Sequence, residues 1–139
     1  TLTVNMTVSN DCTAISAPAV AFGSAPVAKS FPTISQSIGV TCSKGYAYTV
    51  GINNGNNANG TQRRMASGTT NRLNYEIYKG STTSRWGSTG SERWASAISS
   101  AVSSDGTLRT FNYTAQVLPT QTTPPGGTYT DTLTIDIGL

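Results

Sequence analysis

Apolar side chains in this chain recur at every second position, a period that suits β-strands and little else. In Thr1 to Ser9 (TLTVNMTVS), Leu2, Val4, Met6 and Val8 share one side, and Thr3, Asn5, Thr7 and Ser9 share the other. Successive strand side chains point to opposite faces, so such a segment has one face to bury and one to leave wet. Val20 to Gly23 reads as a short strand. Ile34 to Cys42 keeps Ile34, Ile38, Val40 and Cys42 in phase, and Tyr46 to Asn53 groups Tyr46, Tyr48, Val50 and Ile52. Leu73 to Tyr78 aligns Leu73, Tyr75 and Ile77, while Leu108 to Leu118 aligns Phe111, Tyr113, Ala115 and Val117. After the break at Pro124-Pro125-Gly126-Gly127, a last strand from Thr128 to Leu139 carries Tyr129, Leu133, Ile135, Ile137 and Leu139 on one face. Asn53 to Gly60, with two Asn-Gly steps, reads as a turn-rich loop. The best helical pattern, Glu92 to Val102, is Ser-rich and bordered by Gly90 and Gly106, and reads equally well as a strand and turn. Short strands separated by turn signals, without intervening helices, predict an all-β chain folded as a two-sheet antiparallel sandwich.

The 139 residues suit one domain, large enough to bury a real core. The net charge of +3 invites a search for an anionic partner, but the basic residues are dispersed. They are Lys29, Lys44, Arg63, Arg64, Arg72, Lys79, Arg85, Arg93 and Arg109, and only Arg63 and Arg64 are adjacent. They read as ordinary solvated cations, with no nucleic-acid or membrane patch. Cys12 and Cys42 have no histidine or further cysteine to share a metal site with, so they read as one disulfide. Closing a loop of that length stabilises a fold by roughly 3–4 kcal/mol. A disulfide implies the periplasm or the cell exterior; two buried free thiols in a cytosolic chain are the alternative. No signal peptide is visible at Thr1, so the sequence reads as a mature chain. No apolar run approaches the ~20 residues of a membrane helix.

Without histidine, Ser-His-Asp and Cys-His arrangements and the usual zinc sites are excluded. Two carboxylates facing one cleft could still serve a glycosidase. Glu76 and Asp131, however, fall in expected strands, where solvation or pairing with arginine is the better reading. The Asn53–Gly60 loop carries no carboxylate for calcium, and no phosphate-cradling glycine motif is present. Asn-x-Thr triplets begin at Asn5, Asn59 and Asn112, as chance allows in a chain so rich in both residues. Trp86 and Trp94 could stack on sugars, but a core or edge-packing role is commoner in sandwiches. The reading is a structural or binding protein, not an enzyme, with no cofactor and no metal.

The strand Thr1–Ser9 lies outside Cys12, where a disulfide would pin the chain. Such a strand can leave its own domain without disturbing the core and add to another sheet edge. Here the chain resembles the spore coat U family, which includes subunits of archaic chaperone–usher pili. The matching series begins with Leu2-x-Val4-x-Met6-x-Val8, Cys12, Phe22-Gly23, Val40-Thr41-Cys42 and Tyr48-Thr49-Val50-Gly51. It continues through Arg64-Met65, Leu73-Asn74-Tyr75-x-Ile77-Tyr78 and Trp86-Gly87 to the run from Pro125 to Ile135. Each match is weak alone; their order and spacing carry the resemblance.

The resemblance implies an incomplete immunoglobulin-like sandwich whose missing strand is donated by a neighbour. Residues 1–11 would be the donor strand and 12–139 the pilin domain. Leu2, Val4, Met6 and Val8 would be the plugs, and the last strand, with Leu133, Ile135, Ile137 and Leu139, would border the acceptor groove with none of its own chain beyond. The implied partners are identical or related subunits, a periplasmic chaperone and an outer-membrane usher. The implied place is an extracellular pilus that supports attachment and biofilm. Two alternatives stay open: a tip adhesin domain recognising sugar or surfaces near Trp86 or Trp94, and a coat protein whose Leu2–Val8 strand fills its own groove.

Overall fold

The computed structural model describes residues 12–42, 48–95 and 108–138. Its strands are β1 (Cys12–Ser16), β2 (Ile34–Cys42), β3 (Thr49–Ile52), β4 (Arg64–Ser67), β5 (Asn71–Lys79), β6 (Trp94–Ala95), β7 (Leu108–Val117) and β8 (Ile135–Gly138). They form a five-stranded sheet in the order β1-β2-β7-β5-β4 and a three-stranded sheet in the order β6-β3-β8. Every ladder is antiparallel, and the only helix among the described residues is two short 3-10 turns, Ala28–Ser30 and Gly90–Glu92.

The period-two pattern sets which face is buried. On the larger sheet Ile38 and Val40 of β2, Leu73, Tyr75 and Ile77 of β5, and Phe111, Tyr113, Ala115 and Val117 of β7 face inward. The cross-strand pairs Ile38↔Phe111 and Ile77↔Ala115 place these side chains beside one another, the unit from which sheet stability is built. The smaller sheet closes the core with Val50, Ile52 and Ile135. Trp86 and Trp94 meet edge to face at 4.8 Å between the sheets.

Three expected elements differ from the structure. Val20 to Gly23 is not a strand: Gly23 turns the backbone at φ +81°, and Phe22 packs edge-on against Tyr75 at 6.5 Å. The last strand is shorter than its alternation suggests, because residues 128–134 pass from one sheet to the other. Thr130 bridges Ala66 on the β4 edge, Asn53 N–H donates to Thr134 O at 3.0 Å, and only Ile135–Gly138 forms a ladder with β3. In the ambiguous stretch, Gly90–Glu92 is a 3-10 turn and Trp94–Ala95 pairs with β3; its remainder lies outside the described residues. β4, unexpected from a single apolar position, exists by pairing Met65 with Leu73.

Candidate functional site

Among the described residues the edge strands are β1 and β4 in the larger sheet and β6 and β8 in the smaller, each with a ladder on one side only. Among the described residues, β1 pairs with β2 alone and β8 with β3 alone. An edge of this kind presents a row of N–H and C=O groups to any strand that can reach it. The chain that follows β1 and the chain that precedes β8 converge on one apolar cavity of about 410 Å³. Val20, Phe22 and Phe31 form one wall, Gly127 to Tyr129 the other, and Met65, Leu73 and Val117 the floor. The floor residues are buried, whereas Val20, Phe22, Phe31 and Tyr129 are half-buried and pack against the core.

Of the residues expected to border a groove, Leu133 and Ile135 are 3% and 0% exposed, and Ile137 is partly buried against the same core. Leu139 and the expected plugs Leu2, Val4, Met6 and Val8 lie outside the described residues. Cys12 and Cys42 stand directly opposite each other in the β1–β2 ladder.

The expectations for charged residues need correction. Arg63 is not a solvated cation but wholly buried. Its guanidinium donates to Glu76 Oε1 at 3.0 Å and to the carbonyls of Ile52 at 3.0 Å and Trp86 at 2.7 Å. Glu76 is not on a wet face either; it is 7% exposed and takes a second ion pair from Arg85 at 3.1 Å. Burial, then neighbouring Arg85, holds the Arg63 pKa below the usual guanidinium value, while Glu76 pulls it back up. The readable signal was phase: Arg63 and Met65 are two apart and share the inward face, where a buried charge must be paired.

Asp131 is also buried, sits outside the strands and, among the described residues, forms no ion pair with an arginine. Its carboxylate accepts from Tyr75 Oη at 2.6 Å, Asn56 N at 3.0 Å and Asn57 Nδ2 at 3.0 Å. Burial first, then the bond to Asp131, raises the Tyr75 hydroxyl pKa well above the ordinary phenol value. This cluster pins the segment entering β8 to the Asn53–Gly60 loop. Gly55 makes the approach feasible, since its φ is +88° and a Cβ there would meet Asp131 Oδ2. Gly55→Ala is expected to cost about 1–3 kcal/mol, from the left-handed backbone and the displaced carboxylate together. The urea midpoint measures it, and an unchanged midpoint would contradict the clamp.

Chemically, both candidate acids are committed to protein partners and shielded from water. Trp86 and Trp94 are 0% and 6% exposed, so neither offers a sugar-stacking face. What the surface offers instead is backbone: the unpaired sides of edge strands, β1 and β8 among them.

An all-β, two-sheet, immunoglobulin-like sandwich with unpaired edge strands is thus the class to which the chain conforms. It belongs to the Spore Coat Protein U domain family, whose model matches residues 1–136. No curated protein matches the sequence. Among solved structures it is similar to the CsuC–CsuE chaperone–tip adhesion subunit pre-assembly complex from archaic chaperone–usher Csu pili of Acinetobacter baumannii. The TM-score is 0.73 and the identity 35%, over 93% of this chain but only 39% of that chain.

Proposed function

We propose that this chain is a structural subunit of an archaic chaperone–usher pilus, polymerising by donor-strand exchange on the cell surface. The observation that supports the proposal is that β1 and β8 each end a sheet with one side unpaired among the described residues. An alternating strand of the right character, Leu2 to Val8, lies immediately outside β1. In this reading residues 1–11 are the donor and 12–139 the acceptor domain, with Ile137 and Leu139 at the groove margin beside buried Leu133 and Ile135. A Cys12–Cys42 disulfide would staple the root of the donor to β2. Burying four apolar plugs contributes about 6–12 kcal/mol.

The same groove left open is an apolar patch beside a raw sheet edge, which aggregates. That hazard is the physical reason for a periplasmic chaperone before assembly and for an usher that hands subunits on. The function is structural rather than enzymatic, and attachment and biofilm would follow from the fibre.

Val4→Asp with Met6→Asp is expected to abolish polymer, because each buried carboxylate would lack a partner. Chaperone-bound monomer should still accumulate, since the acceptor domain is untouched. Electrophoresis without boiling should show a ladder of multimers for the parent and none for the variant. Normal fibres from the variant would sink the proposal.

A further inference from the structure

We infer that Asn59 is a site of self-modification, converting to aspartate and isoaspartate, while the fold protects the chemically equivalent Asn54. The chain has two Asn-Gly steps, Asn54-Gly55 and Asn59-Gly60. Glycine, lacking a Cβ, obstructs least the attack of its own backbone nitrogen on the preceding carboxamide. That attack needs a free nitrogen, a free carboxamide and room for the ring they form.

At Asn54 all three are denied. Gly55 N–H donates to Asn53 Oδ1 at 3.1 Å, and Asn54 Oδ1 accepts from the Arg85 guanidinium. Arg85 is itself held by Glu76 and Glu92, so its grip is not that of a loose surface side chain. Asn54 and Gly55 are half-buried, and the space beside Gly55 is taken by Asp131 Oδ2.

Asn59 is placed differently. It exchanges backbone hydrogen bonds with Gln62, both at 3.0 Å, closing a tight turn over Gly60 and Thr61. Within that turn neither the Gly60 N–H nor the Asn59 carboxamide is hydrogen-bonded among the described residues. Both residues are exposed, and a Cβ on Gly60 would meet nothing within 4 Å. Arg64 Nε donates to Asn57 O at 2.8 Å and Arg85 Nη2 to Thr61 O at 2.7 Å. Guanidinium charge thus touches the chain on both sides of Gly60, and it favours the anionic nitrogen that must attack.

The step balances with water alone. Gly60 N gives its proton to solvent and bonds to Asn59 Cγ; the Cγ–Nδ2 bond breaks, and ammonia leaves with a proton from water. A second water opens the cyclic imide. Breaking the new N–Cγ bond gives aspartate, and breaking the original main-chain bond gives isoaspartate. Nothing is oxidised or reduced. The product places a carboxylate on a loop that has none and lowers the formal net charge of +3 by one. The core is spared, because Asp131 is held by Asn56 and Asn57 and not by Asn59.

The experiment holds the folded protein at mildly alkaline pH beside a urea-unfolded sample and digests both with trypsin. One peptide, Gly45 to Arg63, carries both steps, so its fragmentation compares them directly by mass spectrometry. In the unfolded chain the two steps should convert at similar rates. In the folded protein Asn59 should convert at least about tenfold faster than Asn54, the rate equivalent of one charge-assisted hydrogen bond. Equal conversion in the folded protein, faster conversion at Asn54, or an Asn59 that stays intact overturns the inference. An unfolded chain in which Asn59 already outruns Asn54 to the same degree overturns the protection by the fold.

Discussion

Arg63→Met is expected to lower stability by about 3–5 kcal/mol, the cost of breaking a buried ion pair by removing one partner. In a chain of this size that is a fall of about 10–15 °C in Tm. The cause is geometric. Arg63 is 0% exposed and lies where the sheets meet: its fork reaches Glu76 on β5 and the carbonyls of Ile52, Asn53 and Trp86. Methionine fills part of the space but removes the donor to these carbonyls and leaves Arg85 as the remaining ion-pair partner of Glu76 among the described residues. Lysine should fail too, because a single ammonium cannot match a planar fork spread over two sheets. Combining Arg63→Met with Glu76→Leu should cost less than the sum of the single changes, the signature of residues that act as a pair. Urea denaturation of the four proteins measures the cycle, and additive costs would contradict the pairing.

The contrast between Ile38 and Arg63 shows how far the sequence could be read. Strands such as β2, β5 and β7 are legible because alternation makes burial a local property: Ile38, Ile77 and Phe111 each declare their face by phase alone. Arg63 and Asp131 are not legible by composition, because whether a polar group is buried depends on partners distant in sequence. Asp131 finds Tyr75 across 56 positions and Asn56 across 75. The sheet crossing at residues 128–134 is hidden for the same reason. Its apolar alternation is broken at Asp131 alone, yet Thr130 answers to β4 while Ile135 answers to β3. For the candidate site, Leu133, Ile135 and Ile137 could be assigned to one face from sequence. The cavity could not, since its walls come from the segments after β1 and before β8, neither of which carries a ladder.

Trp86→Ala is expected to cost about 3–5 kcal/mol, the range for truncating a fully buried aromatic. Trp86 is 0% exposed and touches both sheets. Its ring packs on Trp94 at 4.8 Å, Tyr113 at 5.8 Å and Phe111 at 6.0 Å, and its indole N–H donates to Val50 O at 2.8 Å. Tyr113, its hydroxyl pushed up to about 12 by burial, marks how dry this region is. Collapse into the space is resisted because the surrounding rings are themselves held by strands. Trp86→Phe keeps most of the volume and removes the indole donor, so it should cost about 1–3 kcal/mol, that of leaving Val50 O unpaired. Trp94 remains in both variants as a fluorescent reporter of unfolding. The graded loss distinguishes a core tryptophan from a surface one, whose removal changes stability by no more than about 0.5 kcal/mol. A flat response at Trp86 would return it to the surface and revive the sugar-binding alternative; a steep one fixes it in the core between the sheets.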